Sequence, residues 1–138
     1  MSKSDSTKCP PQDPHKLTMK EARRALAWFR RMTGFHFRCL ITIGEKPPEW
    51  VEGTSPGNAG QCLTMRQARL CQIWIKPSGG PQYDIDVHIK SSALQTLFHE
   101  LMHAFYESCG LDEYGPDQDW AADAMGRVCL AAYNAEMG

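Results

Sequence analysis

The chain has 138 residues, 42% of them apolar and 22% charged, with 15 basic against 16 acidic side chains. That composition suits a folded, water-soluble domain and excludes a disordered one, and a net charge of −1 supplies no basic face for nucleic acid. No apolar run nears the roughly 20 residues that cross a bilayer, and the polar start MSKSDSTKCPPQDPHK lacks the apolar segment of a secretory signal. A cytoplasmic protein with neither membrane nor nucleic-acid partner is expected.

Residues 1–16, rich in small polar residues with Pro10, Pro11 and Pro14, read as a flexible tail. Residues 17–138 then form a single domain. Thr18 and Glu21 make a capping box that opens a first helix. Its apolar positions are Ala22, Ala25, Leu26, Phe29 and Met32, and Gly34 stops it. Arg23, Arg24, Arg30 and Arg31 fall mostly on the opposite, solvated side. From Phe35 to Ile43 apolar residues alternate with His36, Arg38 and Thr42, the pattern of a half-buried strand. Residues 44–68 hold Pro47, Pro48, Pro56 and several glycines and read as a long loop or irregular hairpin. Leu70–Ile75 and Tyr83–Ile89 read as a second and third strand. Ser92 with Gln95 is a second capping box, opening a helix with the apolar stripe Leu94, Leu97, Phe98, Leu101, Met102 and Phe105. A last helix spans about Asp117 to Glu136, with Ala121, Ala124, Met125, Val128 and Leu130 to Ala132 available for burial. The expected class is α+β: helices packed on a small mixed sheet of about three strands.

Six cysteines, at 9, 39, 62, 71, 109 and 129, include no CxxC pair, so the close spacing of a Cys-based structural zinc site is missing. In a cytoplasmic chain they are expected to be reduced, and to behave as small buried hydrophobes.

The chemistry concentrates in the second capped helix, where FHELMH contains the HExxH pattern. Four residues advance a helix by about 400°, so His99 and His103 project from one face roughly 6 Å apart along the axis. Two imidazoles placed so can share one tetrahedral zinc ion. Glu100, beside that face, can take a proton from an attacking water and later give it to a leaving amine. If both histidines were ordinary surface residues, the spacing would be coincidence.

A hydrolytic zinc site needs a third protein ligand, and no histidine follows His103. The carboxylates available downstream are Glu107, Asp112, Glu113, Asp117 and Asp119. Glu107 lies roughly 12 Å along the helix from His99, and Asp112 and Glu113 follow the helix closely. Asp119, in the first turn of the last helix, is the preferred ligand, with Glu113 the alternative. Asp123 shares its face and can accept the distal N–H of a ligating histidine. As ordinary residues, both would be acids near a helix N-terminus.

HELMH followed by D-x-x-x-D on a later helix resembles the gluzincin pattern of the zincin-like metallopeptidases. The nearer likeness is to the minimal ImmA/IrrE-type peptidases of phages and mobile elements, to which the stretch DWAADAMG at 119–126 is similar. The resemblance covers about residues 70–130 and implies a minimal zincin-like domain: a zinc endopeptidase acting on a protein or peptide. It departs from the pattern at Asp119, where Glu is usual; the shorter side chain requires the last helix to approach more closely. By the same resemblance a substrate strand would pair with Leu70–Ile75 or Tyr83–Ile89, and the loop bearing Trp50 and Val51 would cover the cleft or anchor a hairpin. Tyr106, Tyr114, Tyr133 and His88 are the candidates for stabilising an oxyanion, and the sequence does not choose among them. The alternative from another class is a non-catalytic, zinc-stabilised binding, regulatory or phage structural module; a zinc hydrolase for another amide is a third.

Overall fold

The computed structural model describes residues 16–51, 59–79, 92–111 and 116–137. In chain order they form α1 (Met19–Thr33), β1 (Arg38–Ile43), β2 (Gly60–Met65), β3 (Leu70–Ile75), α2 (Ser92–Ser108) and α3 (Pro116–Met137). Three helices and a three-stranded mixed sheet make an α+β arrangement. The N-terminal tail expected over 1–16 lies outside the described residues except for Lys16, as does the strand expected at Tyr83–Ile89.

Helix α1 follows its local signals. The Glu21 amide donates to Thr18 Oγ1 at 3.2 Å, and the Thr18 amide donates to Glu21 Oε1 at 3.0 Å, so the capping box satisfies two groups that a helix start leaves open. Gly34, at φ 78°, closes the helix. Ala22, Ala25, Leu26 and Phe29 are buried as expected, joined by Trp28, while Met32 stays exposed. Arg30 also departs from the solvated face: its Nη2 donates to the Phe37 carbonyl at 2.6 Å, drawing the side chain under the following segment.

Sheet order is β1-β3-β2, with β1 parallel and β2 antiparallel to β3. Strand β1 starts at Arg38, later than expected. Phe35 and Phe37 are buried ahead of it, and Cys39, Ile41 and Ile43 face the core while Arg38, Leu40 and Thr42 are exposed. Of the two readings of residues 44–68, a long loop or an irregular hairpin, the described part favours a hairpin: Gly60–Met65 pairs with Leu70–Ile75. Leu70–Ile75 is therefore central, bonded on both sides, and has no free edge for a substrate strand. Among the described residues the edge beside α2 is β2, against which α2 packs.

The core lies between α1, the sheet and α2. Phe29, Ile73, Ile75, Leu97, Phe98 and Leu101 are wholly inaccessible, and edge-to-face contacts join Trp28 to Phe98 and Tyr133. The Ser92 side chain of the box expected at Ser92 and Gln95 lies outside the described residues. With Ser92 already helical, Gln95 holds the fourth helical position instead of the third, and its Oε1 is buried without a hydrogen bond. Helix α3 packs on α2 through a different face from the one expected. Ala122, Gly126 and Tyr133 are buried, with Cys129 and Leu130 partly so, whereas Ala124, Met125, Val128, Ala131 and Ala132 are exposed. No helix among the described residues is long and apolar enough to cross a membrane.

Candidate metal centre

Helix α2 presents its histidines as the four-residue spacing dictates. Their rings lie 4.8 Å apart, centroid to centroid. Helix α3 crosses them and supplies an acid to both: Asp119 Oδ1 is 3.0 Å from His99 Nε2 and 3.1 Å from His103 Nε2. One nitrogen from each imidazole and one carboxylate oxygen thus converge, all within 4.8 Å of one another, a group that could hold a metal ion.

The crossing depends on Gly126. A Cβ there would meet the His99 amide nitrogen at 3.1 Å, His99 Cα at 3.2 Å and the Phe98 carbonyl carbon at 3.4 Å. All three are backbone atoms of α2, so the contact cannot be relieved by a side chain swinging away. The missing side chain lets α3 lie close enough for the short Asp119 to reach both histidines. In the sequence this glycine reads only as a weak helix position.

The outer nitrogens of both rings are engaged by the same helix. His103 Nδ1 is 2.7 Å from Gln118 Oε1, and Gln118 Nε2 donates to the Leu111 carbonyl at 2.9 Å. That second bond fixes the amide with its oxygen toward the histidine, so His103 Nδ1 must be the donor. His99 Nδ1 lies 3.5 Å from Asp123 Oδ1, and Asp123 Oδ2 accepts from Arg127 Nε at 3.2 Å. With its proton on Nδ1, a neutral His103 turns its Nε2 lone pair toward Asp119 Oδ1, so two acceptors face each other at 3.1 Å unless a proton or a cation lies between them. Two imidazoles with supported Nδ1 atoms and one carboxylate form a donor set suited to a divalent transition metal.

Burial works to raise the Asp119 carboxyl, but the His103 hydrogen bond and the nearby His99 outweigh it and hold the group below the ordinary aspartate value. Glu100 behaves oppositely. It is the one buried charged residue among those described, at 8% exposure; burial pushes its carboxyl up, against the pull of His99 and His103. Burial raises the Cys62 thiol on β2, and the charge of Glu100 adds to that shift.

A stability test follows from Glu100. A carboxyl bound more tightly to its proton in the folded state stabilises fully below the unfolded value near 4.5 and loses that contribution as pH rises through the folded value. Metal-free Glu100→Gln should therefore melt a few °C above metal-free wild type at pH 8, and the two should converge below pH 4.5. Equal melting temperatures across that range would contradict the burial.

The structure brings His99, His103, Asp119 and Asp123 together and leaves Glu107 out of the cluster. Asp112, Glu113, Tyr114, His88 and the Asp117 side chain lie outside the described residues. Tyr133 is no oxyanion candidate: it is buried at 7% exposure against Trp28 and Phe98. Tyr106 is half-buried beside Phe105, and burial raises its phenol. Gln118 and Gly126 were not foreseen, because a glutamine carries no ligand signal and a helical glycine shows its purpose only when the neighbouring helix is in place. No family model, curated protein or solved structure matches this chain, so the reading of the site rests on its own geometry.

Proposed function

We propose that the chain is a zinc-dependent peptidase of zincin-like design, with His99, His103 and Asp119 as metal ligands and Glu100 as general base. The observation that carries this reading is the convergence of two imidazole Nε2 atoms and Asp119 Oδ1 beside a buried carboxylate. When bound, zinc supplies Lewis-acid polarisation of a carbonyl and lowers the pKa of water toward 7. Glu100 accepts the proton of the attacking water and delivers it to the departing amine. Its raised proton affinity suits a group that must both take and release a proton near neutral pH. Gln118 and Asp123 hold the ligand rings in orientation through Nδ1.

Cleavage of a denatured protein substrate by the zinc-loaded chain is the direct test. Activity should vanish with a strong chelator and return with added zinc. A zinc-loaded chain that cleaves no member of a broad peptide library would leave the non-catalytic binding module as the better reading. Replacing the ring supports gives a separate expectation: Gln118→Ala should weaken zinc binding about 10- to 100-fold, as loss of a partner to a ligating histidine does elsewhere, measured by competition with a chromophoric chelator. Unchanged affinity would show that Gln118 does not orient His103.

A further inference from the structure

A second cluster of reactive groups lies away from the histidines, where β1 meets β3. Cys39 and Cys71 are direct partners in the parallel register of the two strands, and their sulfurs are 3.0 Å apart. Neighbouring strands run about 4.8 Å apart, within the Cα separation that a disulfide spans. A covalent bond needs the sulfurs about 1 Å closer, a movement that side-chain rotation supplies.

The two thiols are not equivalent. Cys71 is wholly buried. Cys39, on the edge strand, lines a cavity of about 370 Å³ between α1 and β1. The described residues lining it include three arginines, Arg23, Arg30 and Arg38, and no carboxylate. Arg30 is anchored by its bond to the Phe37 carbonyl, while its Nε is buried without a partner. A cavity with a thiol in its wall, positive charge around it and a second thiol behind it has the parts of a thiol–disulfide exchange site.

The geometry points to Cys39 and Cys71 as a redox-active dithiol that reacts, through the arginine-lined cavity, with an acidic low-molecular-weight disulfide. Cys39, as the thiolate, attacks one sulfur of that disulfide; the external S–S bond breaks, and the expelled thiolate takes a proton from water. Cys71 then attacks the Cys39 sulfur of the mixed disulfide, its proton leaving with the second external thiolate. One Cys39–Cys71 bond forms, two external thiols are released, and two electrons pass from the cysteine pair to the reagent. The electrostatics support this order. The Cys71 hydrogen bond lowers the Cys39 thiol, burial opposes, and Arg30 lowers it further. Cys71 is pushed up by the same hydrogen bond and by its burial, so Cys39 is the attacking group. The proposal does not depend on the metal reading.

The test treats the reduced full-length chain with glutathione disulfide, which carries carboxylates, or with cystamine, which carries amines. Unreacted thiols are then alkylated and the linkages mapped by mass spectrometry. Glutathione disulfide should link Cys39 to Cys71, and Cys71→Ala should trap one glutathione on Cys39. The reaction should run at least about tenfold faster than with cystamine, and Arg23→Glu with Arg38→Glu should remove the difference. A pair that stays reduced while the exposed Cys109 reacts would overturn the proposal. Equal rates with the two reagents would overturn the role of the arginines. If Cys71→Ala destabilises the fold, Cys71→Ser offers a second trap, and absence of glutathione on Cys39 in a folded Cys71→Ser chain overturns the order of attack.

Discussion

Glu100→Gln should lower kcat for peptide cleavage about 10²- to 10⁴-fold, the range that general acid–base catalysis contributes, while zinc content and KM stay close to wild type. Glutamine keeps the shape of the side chain and cannot take a proton. The histidines and Asp119 remain, because Glu100 is not among the converging atoms. The same change should raise thermal stability above neutral pH, since it removes a buried carboxyl whose ionised form burial disfavours. Lost activity together with gained stability is a combination that a general packing defect does not produce. A Glu100→Gln chain that cleaves as fast as wild type would remove Glu100 from the chemistry.

Gly126→Val should act at a distance of two helical turns from Asp119 and still disable the site. The added side chain starts from a Cβ 3.1–3.2 Å from the His99 backbone, and valine is stiff at χ1. Overpacking of this kind costs typically about 1–3 kcal/mol, and here relief requires α3 to move away from α2. Asp119, Gln118 and Asp123 would move with it. The expected result is a lower melting temperature and at least about a tenfold loss of zinc affinity, of the order seen when ligand orientation is lost. Gly126→Ala sets the same Cβ against the His99 backbone without the branches of valine, so its losses should be smaller but in the same direction, partly offset by a better helix propensity of about 1 kcal/mol. A Gly126→Val chain with wild-type zinc affinity would show that the close crossing of α2 and α3 does not position the ligands.

Legibility in the sequence followed the range of the interactions involved. Helix α1 is written in local terms: Thr18, Glu21 and Gly34 act within a turn of themselves, so its limits could be read directly. The pair His99 and His103 is local too, and the structure places both rings on one face. Strand β2 was hidden because Gly60–Met65 follows a Pro/Gly-rich stretch and puts Leu63 outward while Cys62 and Thr64 turn partly inward, which inverts the expected alternation. The face of α3 was misjudged for a related reason. Beside the histidines α3 buries small residues, Ala122 and Gly126, with Tyr133 packing on Phe98 further along, and apolar side chains such as Met125 and Val128 are left outside. Hydrophobic periodicity cannot register the close approach at Gly126, which rests on the absence of a side chain. Asp119 and Asp123 stand out in the sequence because carboxylates four residues apart share a helix face, but their approach to the histidines depends on how two helices cross, which no local pattern encodes.

Zinc-edge X-ray absorption on the zinc-loaded full chain examines the proposed centre without reference to any substrate. The account predicts a first shell of nitrogen and oxygen at about 2.0–2.2 Å, with the scattering signature of two imidazoles that falls to one in His103→Ala. A shell containing sulfur at about 2.3 Å, or a folded chain that takes up no zinc, would contradict it.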